Sequence, residues 1–310
     1  MKTKLRGAVV GVGYLGTFHA QKYKNNSNVE LVGICDFYAP QAEKVAQSLG
    51  VQAFAKPEEL IGKVDLITIA ASTQSHYELA SMFINARVHV NIEKPMTATL
   101  EQARSIVALA KQKNVKVAVG HIERFNPAII DLKKHLHETS FIELKRFGPF
   151  KARGADVSVL HDLMIHDLDL LTWLTNSEIK SVQASGQKFL TSELDAATAF
   201  VELKNGCKAL IQVSRVSPTA ERSIRVVQKN SILFANTATL EIEKVTAGPD
   251  LQTEPLKSEK WVVNKADALQ SETDAFIQAV MQGTQTAVTE VDGLVAMENL
   301  DLVEKSIGSK

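Results

Sequence analysis

At 310 residues the chain is longer than one ordinary core needs, so two domains, or one with a large appended layer, are expected. Lysine plus arginine equals aspartate plus glutamate at 35 each, which gives no global field to attract nucleic acid or an anionic membrane. The two cysteines, Cys35 and Cys207, stand far apart with no CxxC or Cys/His cluster, which argues against a disulfide framework or structural zinc and reads both as packing residues.

The first residues, MKTKLRGAVVGVG, run into an apolar segment too short for a membrane span and without a signal-peptide layout, which predicts a cytosolic protein. From residue 1 to about 120, the apolar segments LRGAVV, VELVGIC, VDLITIA, VHVNI and VKVAV alternate with helical periodicity at 38–49, 74–85 and 99–112. That order predicts βα units and a doubly wound parallel sheet with helices on both faces. A second domain is expected over 121–310. Its helices are placed at about 127–138 and 158–175, and its alternating runs AATAFVELK, CKALIQVSR and RSIRVV imply a mainly antiparallel open sheet covered on one face by helices. Lys204-Asn205-Gly206 is a hairpin signal. The polar stretch 247–260 reads as a loop, and 270–282 and 292–306 as closing helices.

Gly11, Gly13 and Gly16 form GVGYLG, with Tyr14 and Leu15 between the last two, directly after the first strand and before a helix. Gly11 permits the tight turn, Gly13 lets the backbone approach a pyrophosphate, and Gly16 allows the helix to pack closely on the strand. The next strand ends in Asp36, about 20 residues beyond Gly16, as a dinucleotide fingerprint requires. A carboxylate there accepts from an adenosine ribose and repels a 2′-phosphate, and Phe37 and Tyr38 follow it rather than arginine, so NAD is expected rather than NADP. Asp36 can also cap the next helix, a use compatible with binding.

The strand VHVNI ends in Glu93-Lys94-Pro95, at the carboxyl edge where open α/β sheets bind ligands, and Pro95 keeps Lys94 out of the helical region. Further on, HDLMIHDLDL at 161–170 sets two histidines and three aspartates among apolar residues. On an α-helix Asp162, His166 and Asp169 share one stripe at i, i+4 and i+7. Lone charges are costly on so buried a helix. Either a carboxylate and an imidazole satisfy each other in a core, or Asp162 orients His166 as an acid/base dyad, and the run by itself leaves both open.

Taken together, GxGxxG, the E-K-P tripeptide and D-x-x-x-H-x-x-D resemble the glucose–fructose oxidoreductase/inositol dehydrogenase/rhizopine catabolism (Gfo/Idh/MocA) family over essentially the whole chain. The resemblance implies an N-terminal Rossmann domain, a C-terminal α/β domain with an open sheet, and NAD(P)-dependent oxidation or reduction of sugars, polyols or nucleotide sugars. It implies Lys94 as the catalytic lysine, Asp162 with His166 as the dyad, and Asp169 as a further acid at the substrate. Ala71-Ser72-Thr73-Gln74-Ser75-His76 resembles the family's TPxxxH loop, with Ser72 where proline is usual, and places Ser72, His76, Glu93 and Lys94 beside the cofactor. Leu160 and Met164 stand where glycine is common in the family. GHIERFNPA at 120–128 with DLMIHDLD is most similar to the group of UDP-N-acetylglucosamine 3-dehydrogenases and related nucleotide-sugar enzymes, which implies a UDP-linked N-acetylhexosamine oxidised at the ring 3-hydroxyl.

The oxidation needs a base for the hydroxyl proton. An imidazole, with an intrinsic pKa near ~6.5, suits neutral pH, whereas a lysine needs burial or a neighbouring cation first. Arg124 and Arg153 are candidates for a substrate diphosphate, because guanidinium binds phosphate bidentately, although each taken alone reads first as a solvated or structural arginine. Three other functions stand beside the nucleotide-sugar reading: a dehydrogenase of a free sugar or polyol such as inositol, a non-catalytic NAD-binding regulator, and a hydrolase with metal held by His161, Asp162, His166 and Asp169. The last is disfavoured because His161 points about 100° away from His166 on a helix, so no metal is expected. The second domain's open sheet needs covering, which predicts a homodimer or homotetramer packed through it.

Overall fold

The computed structural model describes residues 4–152 and 154–308, and the chain divides into two compact units. One comprises the chain as far as Ile122 together with Asp267–Met297; the other comprises Glu123–Ala266 and the residues from Glu298 onward.

The first unit alternates strand and helix: β1 (Leu5–Val10), α1 (Tyr14–Asn25), β2 (Val29–Cys35), α2 (Ala39–Leu49), β3 (Gln52–Phe54), β4 (Leu66–Ile69), α3 (Thr73–Asn85), β5 (His89–Glu93), α4 (Leu100–Lys113) and β6 (Val117–Gly120). All its strand pairs are parallel, in the order β3-β2-β1-β4-β5-β6. β4 and β6 are buried along their whole length, apolar apart from Thr68 in β4 and the final glycine of β6, as strands covered on both faces must be. The order reverses between β1 and β4, the switch point where such sheets open a crevice at their carboxyl edge.

The second unit opens with α5 (Pro127–Lys134) and β7 (Thr139–Phe147). A π-helical turn at Leu160–Met164 leads into α6 (Ile165–Thr175), and β8 (Ile179–Gln187), β9 (Ala196–Leu203), β10 (Lys208–Ser214), β11 (Glu221–Gln228), β12 (Ser231–Asn236), β13 (Glu241–Asp250) and β14 (Glu254–Val262) follow. They form one sheet ordered β14-β13-β12-β11-β7-β10-β9-β8, antiparallel except for the β7–β10 pair. In β9 and β10 buried residues alternate with more exposed ones, so one face is packed and the other open. The predicted hairpin is present: Gly206 has φ 88° and its N–H donates to Leu203 O at 3.0 Å.

Four features depart from the sequence reading. The stretch 247–260 is largely strand, because β13 and β14 pair at the sheet edge; β14 is exposed along nearly its whole length, so no apolar alternation announces it. β7 lies near the middle of the sheet, unanticipated because its alternation is interrupted by an arginine on the buried phase. The helix expected over 158–175 contains the π turn. Finally, a single cut near residue 120 does not describe the units. After Ala266 the chain rejoins the first unit as α7 (Ala268–Gln282), and α8 (Glu290–Gly308) begins there.

The physical cause of that return is apolar burial. Phe276 and Ile277 of α7 join Val9, Tyr23, Ile34 and Leu66 in one core cluster. Polar ties fix the register: Asn26 Nδ2 donates to Asp274 Oδ1 at 2.7 Å, and Asp267 caps α7 by accepting from Gln270 N at 3.0 Å. Replacing Phe276 by alanine is expected to remove about 3–5 kcal/mol of stability, as truncation of a fully buried aromatic does. Chemical denaturation followed by NAD protection checks this: the loss is expected in the NAD-stabilised transition, and an unchanged transition would show that α7 is not integral to that core.

Candidate active site

Four adjacent strands of the first unit end at one edge, and each delivers part of a site there. β1 ends in the glycine loop. Gly11 has φ 82°, and a Cβ on it would lie 2.4 Å from Ala71 N, so the loop closes against the turn after β4. A Cβ on Gly16 would meet Gly11 O at 1.7 Å, which sets how closely α1 approaches the strand. A Cβ on Gly13 would meet nothing within 4 Å, and no side chain caps α1 there. The open backbone at a helix N-terminus, flanked by Tyr14 and Leu15, suits a dinucleotide pyrophosphate. β2 ends before Asp36, whose Oδ2 accepts from Val12 N at 2.7 Å and whose Oδ1 accepts from Tyr38 N at 2.9 Å. The carboxylate is thus held against the glycine loop, and exposed Phe37 and Tyr38 follow it.

β4 leads to Ser72, an exposed residue at the N-cap of α3 whose hydroxyl lies 3.1 Å from that of Ser75. His76, one turn further, is buried rather than presented to a ligand. Its Nδ1 is 2.9 Å from Pro95 O and its Nε2 3.1 Å from Ala71 O, so the ring ties the loop after β4 to the loop after β5. Burial lowers its pKa, against the pull of those carbonyls. β5 ends in Glu93, which also turns inward: its carboxylate accepts from Lys94 N at 3.2 Å and meets His19 Nε2 at 2.8 Å. Lys94 is half-buried directly after it.

In the second unit the ionisable run separates into two groups. Asp167 and Asp169 are buried and bind arginines. Arg146, on the buried face of β7, donates to Asp167 through Nε at 3.2 Å and Nη2 at 2.8 Å, and to Glu123 through Nη1 at 2.6 Å; Arg222 adds a contact to Glu123 at 3.2 Å. Burial opposes the charge on Glu123, yet Arg146 outweighs it and holds the carboxyl below its ordinary range; at Asp167 burial wins and the carboxyl is raised. Arg124 forks onto Asp169 at 2.9 and 2.6 Å, with its guanidinium 5.7 Å from the Trp173 ring. The two residues expected at the substrate therefore bind each other within the fold, because a buried guanidinium takes the planar carboxylate within reach. Arg153, the other candidate, lies outside the described residues.

Asp162 and His166 are half-buried rather than enclosed like Asp167 and Asp169. The π turn over Leu160–Met164 adds a residue to the helix exactly where Asp162 sits, which breaks the straight stripe that included Asp169. Ser158 starts this turn, its carbonyl accepting from His161 N at 3.0 Å and Asp162 N at 3.1 Å. Gly154 lies against Asp162: a Cβ on it would be 3.5 Å from Oδ2. Arg215 pins the loop between them by donating to the carbonyls of Gly154, at 2.6 Å, and Val157. His161 instead turns to Glu304, 3.5 Å away, so the four-residue metal set is not assembled. Sequence reasoning missed Glu123, Arg146 and Asp167; an arginine on the buried phase of an alternating strand was the available signal.

The sequence matches two family models in succession, an oxidoreductase family with an NAD-binding Rossmann fold over residues 5–121 and the GFO/IDH/MocA C-terminal domain over residues 145–233. It is 37% identical over 280 residues to a UDP-N-acetylglucosamine 3-dehydrogenase of Acidithiobacillus ferrooxidans, covering 89% of this chain and 88% of that protein. The chain belongs to the Gfo/Idh/MocA oxidoreductase family. Its first unit is the NAD-binding Rossmann domain, and the glycine loop and Asp36 described above fit that dinucleotide. A solved structure of the Acidithiobacillus ferrooxidans enzyme superposes with a TM-score of 0.92 at 32% identity, covering 99% of this chain and 98% of that one. An inositol 2-dehydrogenase of Rhizobium meliloti is 24% identical over 327 residues, covering 99% of this chain and 98% of the relative. A Lactobacillus casei scyllo-inositol dehydrogenase solved with NAD(H) and scyllo-inositol shares the fold, with a TM-score of 0.83 at 19% identity over 99% and 98% of the two chains.

The two classes of aspartate separate experimentally. Asp167→Asn leaves Arg146 partly unpaired in the interior and is expected to cost about 3–5 kcal/mol, whereas Asp162→Asn is expected to change stability by less than about 1 kcal/mol while lowering turnover. Denaturant titrations of both variants check the assignment, and equal stability losses would reverse it.

Proposed function

We propose that this family member oxidises the ring 3-hydroxyl of a UDP-linked N-acetylhexosamine with NAD as hydride acceptor. The observation that carries this reading is the 37% identity, over nearly nine-tenths of both chains, to an enzyme named for that substrate and position. The inositol dehydrogenases are more distant, and the leucine and methionine at 160 and 164 depart from the glycines common in the family. A polyol substrate is the second reading.

NAD bound at the glycine loop supplies the hydride acceptor for the sugar carbon. The chain's own residues handle the proton. Lys94, at the end of β5, and His166, on the helix after the π turn, are the groups proposed to meet the reacting hydroxyl. Asp162 is proposed to fix the imidazole tautomer so that one ring nitrogen accepts the proton as the hydride leaves. Arg153 is proposed to meet the substrate diphosphate, now that Arg124 is engaged by Asp169. Such an anchor uses binding energy far from the reacting carbon to orient it. The assembly is proposed to be a cytosolic homodimer or homotetramer formed through the open face of the second unit's sheet, where Phe200 and Phe234 are exposed beside charged side chains.

UDP-N-acetylglucosamine is expected to support NAD reduction and free N-acetylglucosamine to be much poorer. Lys94→Ala and His166→Ala are expected to lower kcat far more than they weaken NAD binding, and Arg153→Ala to raise KM chiefly for the nucleotide sugar. Faster turnover of free inositol or glucose would move the assignment to the polyol reading. For the assembly, light scattering at micromolar concentration is expected to report a dimer or tetramer; a monomer would remove the sheet-mediated association.

A further inference from the structure

The first unit buries a second set of ionisable groups behind Lys94. Glu272, on α7, is 4% exposed, and one donor atom from each of Glu272, His19 and Glu93 lies within 4.8 Å of the other two. His19 Nε2 is 2.8 Å from Glu93 Oε1, and Asn91 Nδ2 donates to Glu272 Oε1 at 3.5 Å. Glu272 Oε2 and His19 Nδ1 are buried without a hydrogen bond. Facing the cluster are also Tyr23 on α1, whose hydroxyl accepts from Thr68 on β4 at 2.8 Å, Lys94, which adjoins Glu93, and His76 on α3, whose imidazole feels the charge of Glu93.

Two carboxylates so close, sharing one imidazole and little water, cannot both stay ionised at moderate cost. Burial works against the charge on Glu93, but the hydrogen bond to His19 and the neighbouring Lys94 outweigh it and hold its carboxyl low. Burial likewise opposes a charged His19, and Glu93 outweighs it, raising the imidazole. At Glu272 the charge of His19 and the hydrogen bond from Asn91 compensate too little. Its burial, with the charge of Glu93 second, pushes it up to about 8.

We propose that Glu272 is a positioning residue for Lys94: protonated, it leaves Glu93 paired with His19 and bound to the Lys94 backbone, and once ionised it repels Glu93 and loosens that hold. The inference rests on the role proposed for Lys94 and extends it by giving the closing helix a part in the lysine's geometry. A divalent cation is the other chemistry that could satisfy one imidazole and two carboxylates.

The test compares wild type with Glu272→Gln, which keeps a neutral, hydrogen-bonding group of the same shape. Activity that needs protonated Glu272 falls about tenfold between pH 7 and 9 from that one ionisation. The ratio of variant to wild-type kcat is therefore expected to rise about tenfold over that range, with KM for NAD unchanged; ionisations that do not interact with Glu272 divide out of the ratio. A flat ratio overturns the proposal. A readout without substrate keeps failure of the substrate assignment separate. Between the ordinary glutamate range and pH 8 the folded state keeps a proton that the unfolded state has lost, so wild-type stability falls as pH rises while the variant lacks this loss. The thermal midpoint of the variant is expected to gain on wild type by several degrees from pH 5 to 8, and parallel curves overturn the proposal. So does a stoichiometric divalent cation in purified wild type that is absent from His19→Gln, which would make the cluster a metal centre.

Discussion

A charge buried in a protein interior must be matched, and the second unit is arranged around one such charge. Arg146 projects from the packed face of β7, near the middle of the sheet, into a region with little water. Its Coulomb and hydrogen-bond requirements draw Asp167 from α6 and Glu123 from the segment before α5 onto one guanidinium. Arg124 and Asp169 repeat the device two residues further along the helix. Each pair costs desolvation, so its net contribution to stability is modest, but the geometry it demands is narrow. The helix that carries Asp162 and His166 is thereby held at a fixed rotation on the sheet. Where its neighbours Asp167 and Asp169 are buried against arginines, these two are half-buried.

The first unit works from a different constraint, the parallel sheet itself. Parallel strands all finish at the same edge, so whatever follows them is gathered there without further instruction. Glycine, aspartate and lysine come together because β1, β2 and β5 end in sequence-specific turns, and His76 joins two of those turns through their carbonyls. The returning helix α7 adds to the core under that edge and brings a second carboxylate towards Glu93.

Much of this was legible in the residues. The apolar runs separated by helical periodicity gave the doubly wound sheet, and strand–GVGYLG–helix with Asp36 gave the dinucleotide site, because steric need for glycine and acceptance of ribose hydroxyls are local requirements. The hairpin at Lys204-Asn205-Gly206 was equally local, fixed by a backbone that only glycine adopts easily. Free, buried Cys35 and Cys207 agree with their reading as packing residues.

What the tertiary structure alone decided concerns partners far apart in the chain. No periodicity reports that Asp169 meets Arg124 across 45 residues, that Arg146 takes Asp167, or that α7 returns to a core begun at β1. Nor could a straight helical wheel show that a π turn breaks the stripe of Asp162, His166 and Asp169, because the extra residue answers the packing of the loop before it rather than local propensity. The edge strands β13 and β14 were hidden for the opposite reason: exposed on the sheet rim, they carry no apolar pattern, and only pairing with each other and with β12 makes them strands. Local sterics are written in neighbouring residues, whereas the neutralisation of buried charge depends on which distant segments the fold brings within hydrogen-bond reach.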